Sequence, residues 1–283
     1  MTIGVTGATG NLGGRVAREL AARGVPMRLI VRDPAAAPQL PGAEVAVAAY
    51  EDPGAMAKAL QGVGTLLLVS AHEDPDRASV HRSAVEGAAL AGVERIVYTS
   101  FMGAAPNATF TYARDHNATE MAIREAGISL TSMRCSLYAD VAPRFVGVDG
   151  VIRGPAGHGR LAWVACADVA RLAAVLLVEP GHEGQIYDVS GPHGIDLFET
   201  ARILTKATRR VITYHAETPD EARTSRAGSP DWQVQGWISS YLMLASGEGS
   251  VTSHTLEHLT GRAPMTLAAF LAAEPSSFAH LLG

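Results

Sequence analysis

Residues 6–13 read TGATGNLG, and this glycine-rich stretch decides the fold. It follows a short run of β-forming residues and opens a helix-like pattern over residues 12–23. A loop in that setting is typical of the phosphate-binding turn of a dinucleotide-binding βαβ unit. There, Gly7 permits the tight turn, Gly10 lets the backbone approach a pyrophosphate, and Gly13 lets the helix pack closely on the strand. The stretch therefore predicts a bound nucleotide; the alternative is a turn of the same composition without a ligand.

Two kinds of segment alternate over the first 135 residues. Short apolar, β-forming runs are separated by stretches rich in Ala and Leu, and glycines follow these stretches as they do at helix ends. Such alternation predicts a parallel sheet with helices on both faces, a doubly wound α/β fold of the Rossmann type. The predicted strands are 2–6, 27–31, 45–49, 65–70, 95–99 and 129–134, and the predicted helices are 12–23, 53–60, 79–91 and 113–126.

The residue composition changes after Arg134. Residues 135–160 are rich in Gly and Pro and are expected to form loops, and from about residue 197 the pattern is mostly helical with little strand signal. We therefore expect a Rossmann core followed by a smaller, mainly helical C-terminal substrate-binding lobe. The predicted core comprises residues 1–134, with 162–190 returning to it, and the predicted lobe comprises residues 135–161 and 191–283.

Composition bounds the class of protein. Of 283 residues, 47% are hydrophobic and 18% are charged, which suits a folded globular chain. A net charge of −5 with few lysines disfavours nucleic-acid binding. The N-terminal residues do not resemble a signal peptide, and no stretch approaches the ~20 apolar residues of a membrane helix. We expect a cytoplasmic monomer or homodimer, without nucleic-acid, membrane or metal partners, in which Cys135 and Cys166 are reduced core thiols.

Cofactor preference depends on the end of the second predicted strand. Val31, Arg32 and Asp33 lie about 20 residues after the glycine motif, where the adenosine ribose is read. An acidic residue there suits NAD, whereas arginine suits the 2′-phosphate of NADP. Asp33 is more simply the start of a loop with Pro34, so Arg32 favours NADPH. The alternative is that Arg32 is an ordinary surface arginine.

Several blocks carry a family resemblance. TGATGNLGG at 6–14, VRDP at 31–34, the block at 50–70 and VYTS at 97–100 resemble the NmrA-like branch of the atypical short-chain dehydrogenases/reductases. The later blocks are similar to the NAD(P)H:quinone oxidoreductase type 2 group and to triphenylmethane reductase. They are HNATEMAIREAGISLTSMR at 116–134, LYAD at 137–140, AWVACADVA at 162–170 and LTGRAPMTLAAFL at 259–271.

The resemblance implies positions for the cofactor and the substrate. Loop residues would wrap the phosphates, Arg32 would take the 2′-phosphate, and the strand ends would approach adenine, ribose and nicotinamide. The implied cofactor-binding residues are Gly7, Thr9, Gly10, Asn11, Leu12, Arg32, Tyr50, Asp52, Val69, Ser70, Ala71, Thr99, Ser100 and Arg134. The implied substrate pocket has residues 134–140 as its floor and includes Phe101, Met102, Tyr138, Trp163 and Trp232. Two departures are Cys135-Ser136, where the group often has Asn-Gly, and Cys166, where it often has arginine.

Residues 112–120 read YARDHNATE, where the best-known reductases of this fold have a tyrosine and a lysine four apart. The only lysines are Lys58 and Lys206, so no lysine lowers the pKa of a tyrosine from its usual value near 10. His116 is the best candidate for a proton donor, with Glu120 one turn further on to orient it. The alternative is a structural histidine. The other catalytic candidates are Tyr112 and Tyr138.

Three functions remain open on these residues. The leading hypothesis is an NADPH-dependent oxidoreductase that delivers hydride to a quinone or a similar planar, conjugated acceptor, because such acceptors need no dedicated acid. A second is a pathway-specific reductase of a polycyclic or imine-like metabolite, which the cysteine departures favour. A third is a non-catalytic NAD(P)-sensing regulatory protein. The first two predict a small, planar, apolar substrate.

Overall fold

The computed structural model describes residues 2–282. The strands are β1 Thr2–Thr6, β2 Met27–Val31, β3 Ala43–Val47, β4 Val63–Leu68, β5 Arg95–Phe101, β6 Ser129–Cys135, β7 Val151–Gly154, β8 Arg160–Leu161, β9 Ile186–Val189, β10 Ile195–Asp196 and β11 Thr213–Ala216. The α-helices are α1 Asn11–Ala22, α2 Pro53–Ala59, α3 Arg77–Leu90, α4 Thr111–Glu125, α5 Cys166–Val178, α6 Leu197–Thr208, α7 Pro219–Ser225, α8 Asp231–Ala245, α9 Thr255–Thr260 and α10 Leu267–Ala273. Short 3₁₀ helices are Pro34–Ala36, Ala139–Phe145, Glu248–Ser250 and Pro275–Leu281.

Seven strands form one sheet in the order β3-β2-β1-β4-β5-β6-β9. β1 pairs in parallel with both β2 and β4, and the pairs β2–β3 and β4–β5 are parallel as well. The strand order reverses between β1 and β4, which is the point where open α/β sheets bind ligands. The predicted Rossmann-type doubly wound fold is therefore confirmed.

The chain divides into two compact units. The first comprises Met1–Pro106, Arg114–Arg134 and Val169–Tyr187. The second comprises Asn107–Ala113, Cys135–Asp168 and Asp188–Gly283.

The core of the first unit lies on the sheet. All seven positions of β5 are buried, because both faces of a parallel sheet are covered by helices. Leu66 and Leu68 of β4 are 0% exposed, and they belong to one cluster with Met56 of α2 and Ala84 of α3. Full burial of each large apolar side chain stabilises the fold by about 1.5–3 kcal/mol.

The second unit contains two small sheets. β7 pairs in parallel with β11, Val151 lying opposite Thr213, and β8 pairs antiparallel with β10. The expectation of loops over 135–160 is wrong for β7 and for the start of β8, and β10 and β11 were not predicted as strands, although the chain after residue 197 is mostly helical as expected. Each of these four strands has only two to four residues, and such short segments become strands only by pairing with a distant part of the chain.

Helix lengths bear on membrane association. Among residues 2–282, no helix is both long enough and apolar enough to cross a membrane.

Candidate active site

The glycine-rich loop joins β1 to α1 and has a backbone shape that its glycines allow. Gly7 has a φ of 62°, in the left-handed region that favours glycine. Its carbonyl accepts a hydrogen bond of 2.9 Å from the N–H of Gly10, which closes the turn. A Cβ at Gly13 would lie 2.3 Å from the carbonyl oxygen of Gly7, so glycine is required there. Gly10 caps α1 without a side-chain hydrogen bond, which leaves the helix N-terminus suited to an anion.

A cavity of about 160 Å³ lies beside this loop in the first unit. The predicted cofactor residues among its lining are Gly7, Thr9, Arg32, Tyr50, Val69, Ser70 and Ala71. The other predicted cofactor residues do not line it: Gly10, Asn11, Leu12, Asp52, Thr99, Ser100 and Arg134. Sequence reasoning missed the remaining lining residues, Ile30, Val31, Ala48, Glu51, His72, Asp74 and Val80. Val31 and Glu51 lie inside the blocks 31–34 and 50–70 that carry the family resemblance, whereas no motif pointed to the others. The cofactor roles of all these residues stay predictions.

Arg32 and Asp33 differ in their surroundings. Arg32 is exposed and lines the cavity, and its side chain has no hydrogen bond or ion pair with any residue in the described range 2–282. The Oδ1 of Asp33 accepts a hydrogen bond of 2.9 Å from the N–H of Ala35 and so caps the short helix Pro34–Ala36. The carboxylate of Asp33 therefore caps the start of the loop, as predicted, and Arg32 is the arginine that lines the cavity.

Tyr50 and Thr6 shape the wall of the cavity. The hydroxyl of Tyr50 donates to the carbonyl of Val69 at 2.7 Å and contacts Thr6 Oγ1. Thr6 Oγ1 accepts from the N–H of Val69 at 2.9 Å. Burial raises the pKa of Tyr50, so its hydroxyl stays protonated and able to donate. Asp52 caps α2 instead, its Oδ1 accepting from the N–H of Ala55 at 2.9 Å.

His116 lies on α4 and is 6% exposed. Its Nδ1 is 2.9 Å from the hydroxyl of Tyr98, and its Nε2 is 3.1 Å from a guanidinium nitrogen of Arg77. Phe101 stacks on the imidazole ring with 6.2 Å between the ring centroids, and the neighbouring Met102 is half-buried. Burial, and then the charge of Arg77, lower the pKa of His116 well below its usual value. Both ring nitrogens therefore have protein partners, and the ring is neutral.

Glu120 is a fully buried carboxylate that joins the ends of β5 and β6. Its Oε1 accepts hydrogen bonds from Ser100 Oγ at 2.7 Å, Ser132 Oγ at 2.7 Å and Arg134 Nε at 2.9 Å. Burial alone would raise the pKa of Glu120, but hydrogen bonds from Arg134, Ser100 and Ser132 outweigh it and lower the pKa. The expectation that Glu120 orients His116 is wrong, because the carboxylate contacts these strand ends instead.

Tyr138 lies in the second unit beside both cysteines. Its hydroxyl forms a hydrogen bond with Cys135, and Cys166 is also near it. Burial raises the pKa of Cys135 to about 12 and raises the pKa of Tyr138 well above its usual value. Both cysteines are buried and form no disulfide, as predicted. Asp140 Oδ2 accepts a hydrogen bond from the N–H of Cys166 at 2.8 Å, where α5 begins.

The other predicted aromatic residues also lie in the second unit. The ring of Tyr112 packs so closely on Gly236 of α8 that a Cβ there would lie 2.6 Å from it. Trp232 is half-buried on the same helix. Trp163 is 2% exposed, donates from Nε1 to Thr200 Oγ1 at 3.1 Å, and lines a cavity of about 790 Å³. Tyr112 thus packs from α4 against α8, the helix that contains Trp232, whereas Trp163 lies at the cavity.

A metal centre has no support in the described range. Residues 2–282 contain no group of three or more His, Cys, Asp or Glu side chains that could hold a metal ion.

Comparisons with known proteins identify the family of this chain. Residues 7–180 match the model of a family described as NAD(P)H-binding. Quinone oxidoreductase 2 of Escherichia coli (strain K12) is 36% identical over 277 residues, which cover 94% of this chain and 96% of the relative.

Two solved structures add the fold and the cofactor of relatives. The NADPH-dependent quinone oxidoreductase of Escherichia coli, complexed with NADPH, has a TM-score of 0.85 and 34% identity, covering 99% of this chain and 100% of the other. The triphenylmethane reductase of Citrobacter sp., complexed with NADP(H), has a TM-score of 0.83 and 31% identity, covering 96% and 99%. The resemblance to these reductases that the sequence indicated is confirmed.

Proposed function

This chain belongs to the NAD(P)H-binding family, and from that premise we propose that it is an NADPH-dependent oxidoreductase that delivers hydride to a quinone or a similar planar, conjugated acceptor. When bound, NADPH supplies the hydride from its nicotinamide ring. The proposed acceptor class follows the names of the relatives, a quinone oxidoreductase and a reductase of triphenylmethane dyes.

The environment of His116 and Tyr138 carries the proposal. A general acid must give up a proton near neutral pH. The pKa of His116 is lowered well below its usual value, so the ring carries no extra proton, and burial raises the pKa of Tyr138, which makes it a weaker acid. With no lysine four residues after a tyrosine, these groups are poorly suited to protonating an unactivated ketone.

A quinone does not require such an acid. Hydride addition to a quinone gives an aromatic hydroquinone anion, and water then supplies the proton to its oxygen. A triarylmethyl cation accepts hydride to give a neutral product without any proton. For both acceptors the protein has to position the two reactants and exclude competing reactions. Roles for His116, Tyr138 and Tyr112 in contacting the acceptor stay predictions.

Arg32 supports the choice of NADPH. Arg32 lines the cavity beside the glycine-rich loop, and its side chain has no hydrogen bond or ion pair among the described residues. A guanidinium binds a phosphate with two parallel hydrogen bonds. Asp33, the carboxylate that could read an unphosphorylated ribose, is engaged as a helix cap.

The test follows NADPH oxidation by the purified protein with a panel of acceptors. The panel contains para-benzoquinone, a naphthoquinone, a cationic triarylmethane dye, a cyclic imine and cyclohexanone. We expect turnover of the quinones or the dye and none of cyclohexanone, after subtraction of the reaction of NADPH with each acceptor alone. Turnover of the ketone would contradict the proposed acid-free chemistry, and turnover of the imine alone would favour a pathway-specific reductase.

A further inference from the structure

The segment Val69, Ser70 and Ala71 lines the nucleotide cavity but lies outside the sheet. β4 ends at Leu68, so these residues lack strand partners for their backbone groups. Side chains from several elements bind those groups instead. Thr6 and Tyr50 form hydrogen bonds with the backbone of Val69. Thr99 Oγ1 accepts from the N–H of Ser70 at 2.7 Å. The backbone of Ala71 forms hydrogen bonds with His81 and Arg77.

Ala71 is held at both of its backbone polar groups from α3. Its N–H donates to His81 Nε2 at 2.8 Å, and its carbonyl accepts from Arg77 Nε at 2.9 Å. His81 is 0% exposed and Arg77 is 6% exposed, so water does not compete for these two hydrogen bonds. Because His81 and Arg77 lie four residues apart on one helix, α3 fixes the end of this wall.

The contacts of His81 determine its tautomer. A backbone N–H can only donate, so Nε2 accepts from Ala71 and the ring proton is on Nδ1. Nδ1 is 2.8 Å from Thr119 Oγ1, which therefore accepts this proton and donates its own to the carbonyl of Asp115 at 2.8 Å. Thr119 thus keeps His81 in the form that can accept from Ala71.

His116 belongs to the same network. Arg77 can only donate, so the Nε2 of His116 accepts from it and the ring proton, on Nδ1, points to the hydroxyl of Tyr98. The same hydroxyl forms a hydrogen bond with Thr119, so Tyr98 links His116 to the residue that fixes the tautomer of His81. The arrangement orients the guanidinium of Arg77, which in turn holds the carbonyl of Ala71.

We infer that His81, with Thr119 behind it, and Arg77, with His116 behind it, are positioning residues that hold the Ala71 backbone in the shape that the bound nucleotide requires. The inference rests on the proposed nucleotide site and gives a role to Arg77 and His81, which lie outside every quoted motif, and to Thr119, for which the sequence suggested none. It also assigns His116 to the support of the cavity wall rather than to proton transfer.

A matched pair of substitutions tests the inference. Thr119→Val removes the hydroxyl that fixes the tautomer of His81, with little change of shape. Thr131→Val is the control, because Thr131 is also buried in the first unit and its Oγ1 also donates to a backbone carbonyl, that of His182, at 2.8 Å. Thr131 does not contact the network. NADPH affinity is measured from the fluorescence of bound NADPH, and Tm is measured for each variant.

We expect Thr119→Val to raise the Kd for NADPH by about 3- to 10-fold, the effect of losing one hydrogen bond. Thr131→Val is expected to keep the wild-type Kd, although both variants lose Tm to a similar extent. Equal Kd values in the two variants and the wild type would overturn the inference alone. A wild-type protein that binds no NADPH would overturn the proposed function together with the inference.

A second pair of substitutions tests whether His81 acts as an acceptor for Ala71. In His81→Gln the side-chain oxygen can replace Nε2 as that acceptor, whereas the side chain in His81→Leu cannot accept a hydrogen bond. His81→Gln should therefore keep much of the NADPH affinity that His81→Leu loses. For His116→Leu, we expect a raised Kd for NADPH and an unchanged pH profile of kcat with para-benzoquinone. An unchanged Kd with a lowered kcat would instead show that His116 is a proton donor.

Discussion

Arg32 is the residue at which the two nicotinamide cofactors are expected to differ. Arg32→Ala should raise the Kd for NADPH by about 10- to 100-fold, because charge-assisted hydrogen bonds to a phosphate are lost. The Kd for NADH should change little, since NADH has no 2′-phosphate. Titration of both cofactors checks this prediction.

The control for Arg32 is Arg23→Ala, which removes the same charge from an exposed arginine that does not line the cavity. It should leave both dissociation constants near their wild-type values. An equal loss of NADPH and NADH affinity in Arg32→Ala would contradict the assignment of Arg32 to the 2′-phosphate.

The two buried histidines, His81 and His116, should make the free energy of unfolding depend on pH. Burial and the charge of Arg77 lower the pKa of His81 to about 3, and that of His116 is lowered well below its ordinary value. Unfolding returns each ring to an ordinary pKa near 6.5, so below that pH the unfolded chain binds more protons than the folded one. The contribution of these two histidines to the free energy of unfolding should therefore be complete above pH 6.5. Below that pH the free energy of unfolding should fall by up to ~1.4 kcal/mol per pH unit for each histidine.

Urea unfolding between about pH 7.5 and pH 5 measures this dependence. His81→Gln should lower the slope by about one proton, because one of the two buried rings is removed. A wild-type stability that stays constant over this range would show that the rings gain protons in the folded state as easily as in the unfolded state.

The first turn of α1 packs directly against the glycine-rich loop. A Cβ at Gly13 would lie 2.3 Å and 2.5 Å from the oxygen and carbon of the Gly7 carbonyl, neither of which can move without opening the turn. Gly13→Ala should therefore destabilise the fold by about 1–3 kcal/mol and weaken NADPH binding. Chemical unfolding and NADPH titration are the measurements.

Gly54→Ala is the matched control, since Gly54 also lies in the first turn of a helix. There a Cβ would meet only Asp52 Oδ1 at 3.4 Å, an ordinary contact. This variant should be neutral or more stable by up to about 1 kcal/mol, because alanine restricts the unfolded chain. A Gly13→Ala protein as stable as Gly54→Ala would show that the loop can shift away from α1.

Nucleotide binding should stabilise the whole molecule. A ligand at about 100 times its Kd raises the free energy of unfolding by about 2.7 kcal/mol, which corresponds to roughly 5–10 °C in Tm for a chain of this size. We expect NADPH to raise Tm by this amount and the same concentration of NADH to raise it less. Thermal unfolding with each cofactor checks the difference, and Arg32→Ala should reduce the NADPH effect to that of NADH. Equal shifts in the wild type would contradict a preference for NADPH.

The sequence by itself determined the Rossmann core and the start of the nucleotide site. TGATGNLG, the alternation of strands and helices, and the position of Arg32 are local patterns, and the constraints behind them act over a few residues. A positive φ at Gly7 and a close helix contact at Gly13 need glycine whatever the rest of the chain does. Such requirements can therefore be predicted before any tertiary contact is known.

Only the tertiary structure decided what the buried polar residues do. His116 and Glu120, four residues apart on one helix, were expected to contact each other, yet packing directs His116 to Tyr98 and Glu120 to the strand ends. The hold of His81 on Ala71 and the pairing of β7 with β11 likewise join segments that carry no motif. These outcomes depend on which groups are removed from water together, because a buried polar group must find its partner wherever the fold places one. Sequence spacing does not determine that placement.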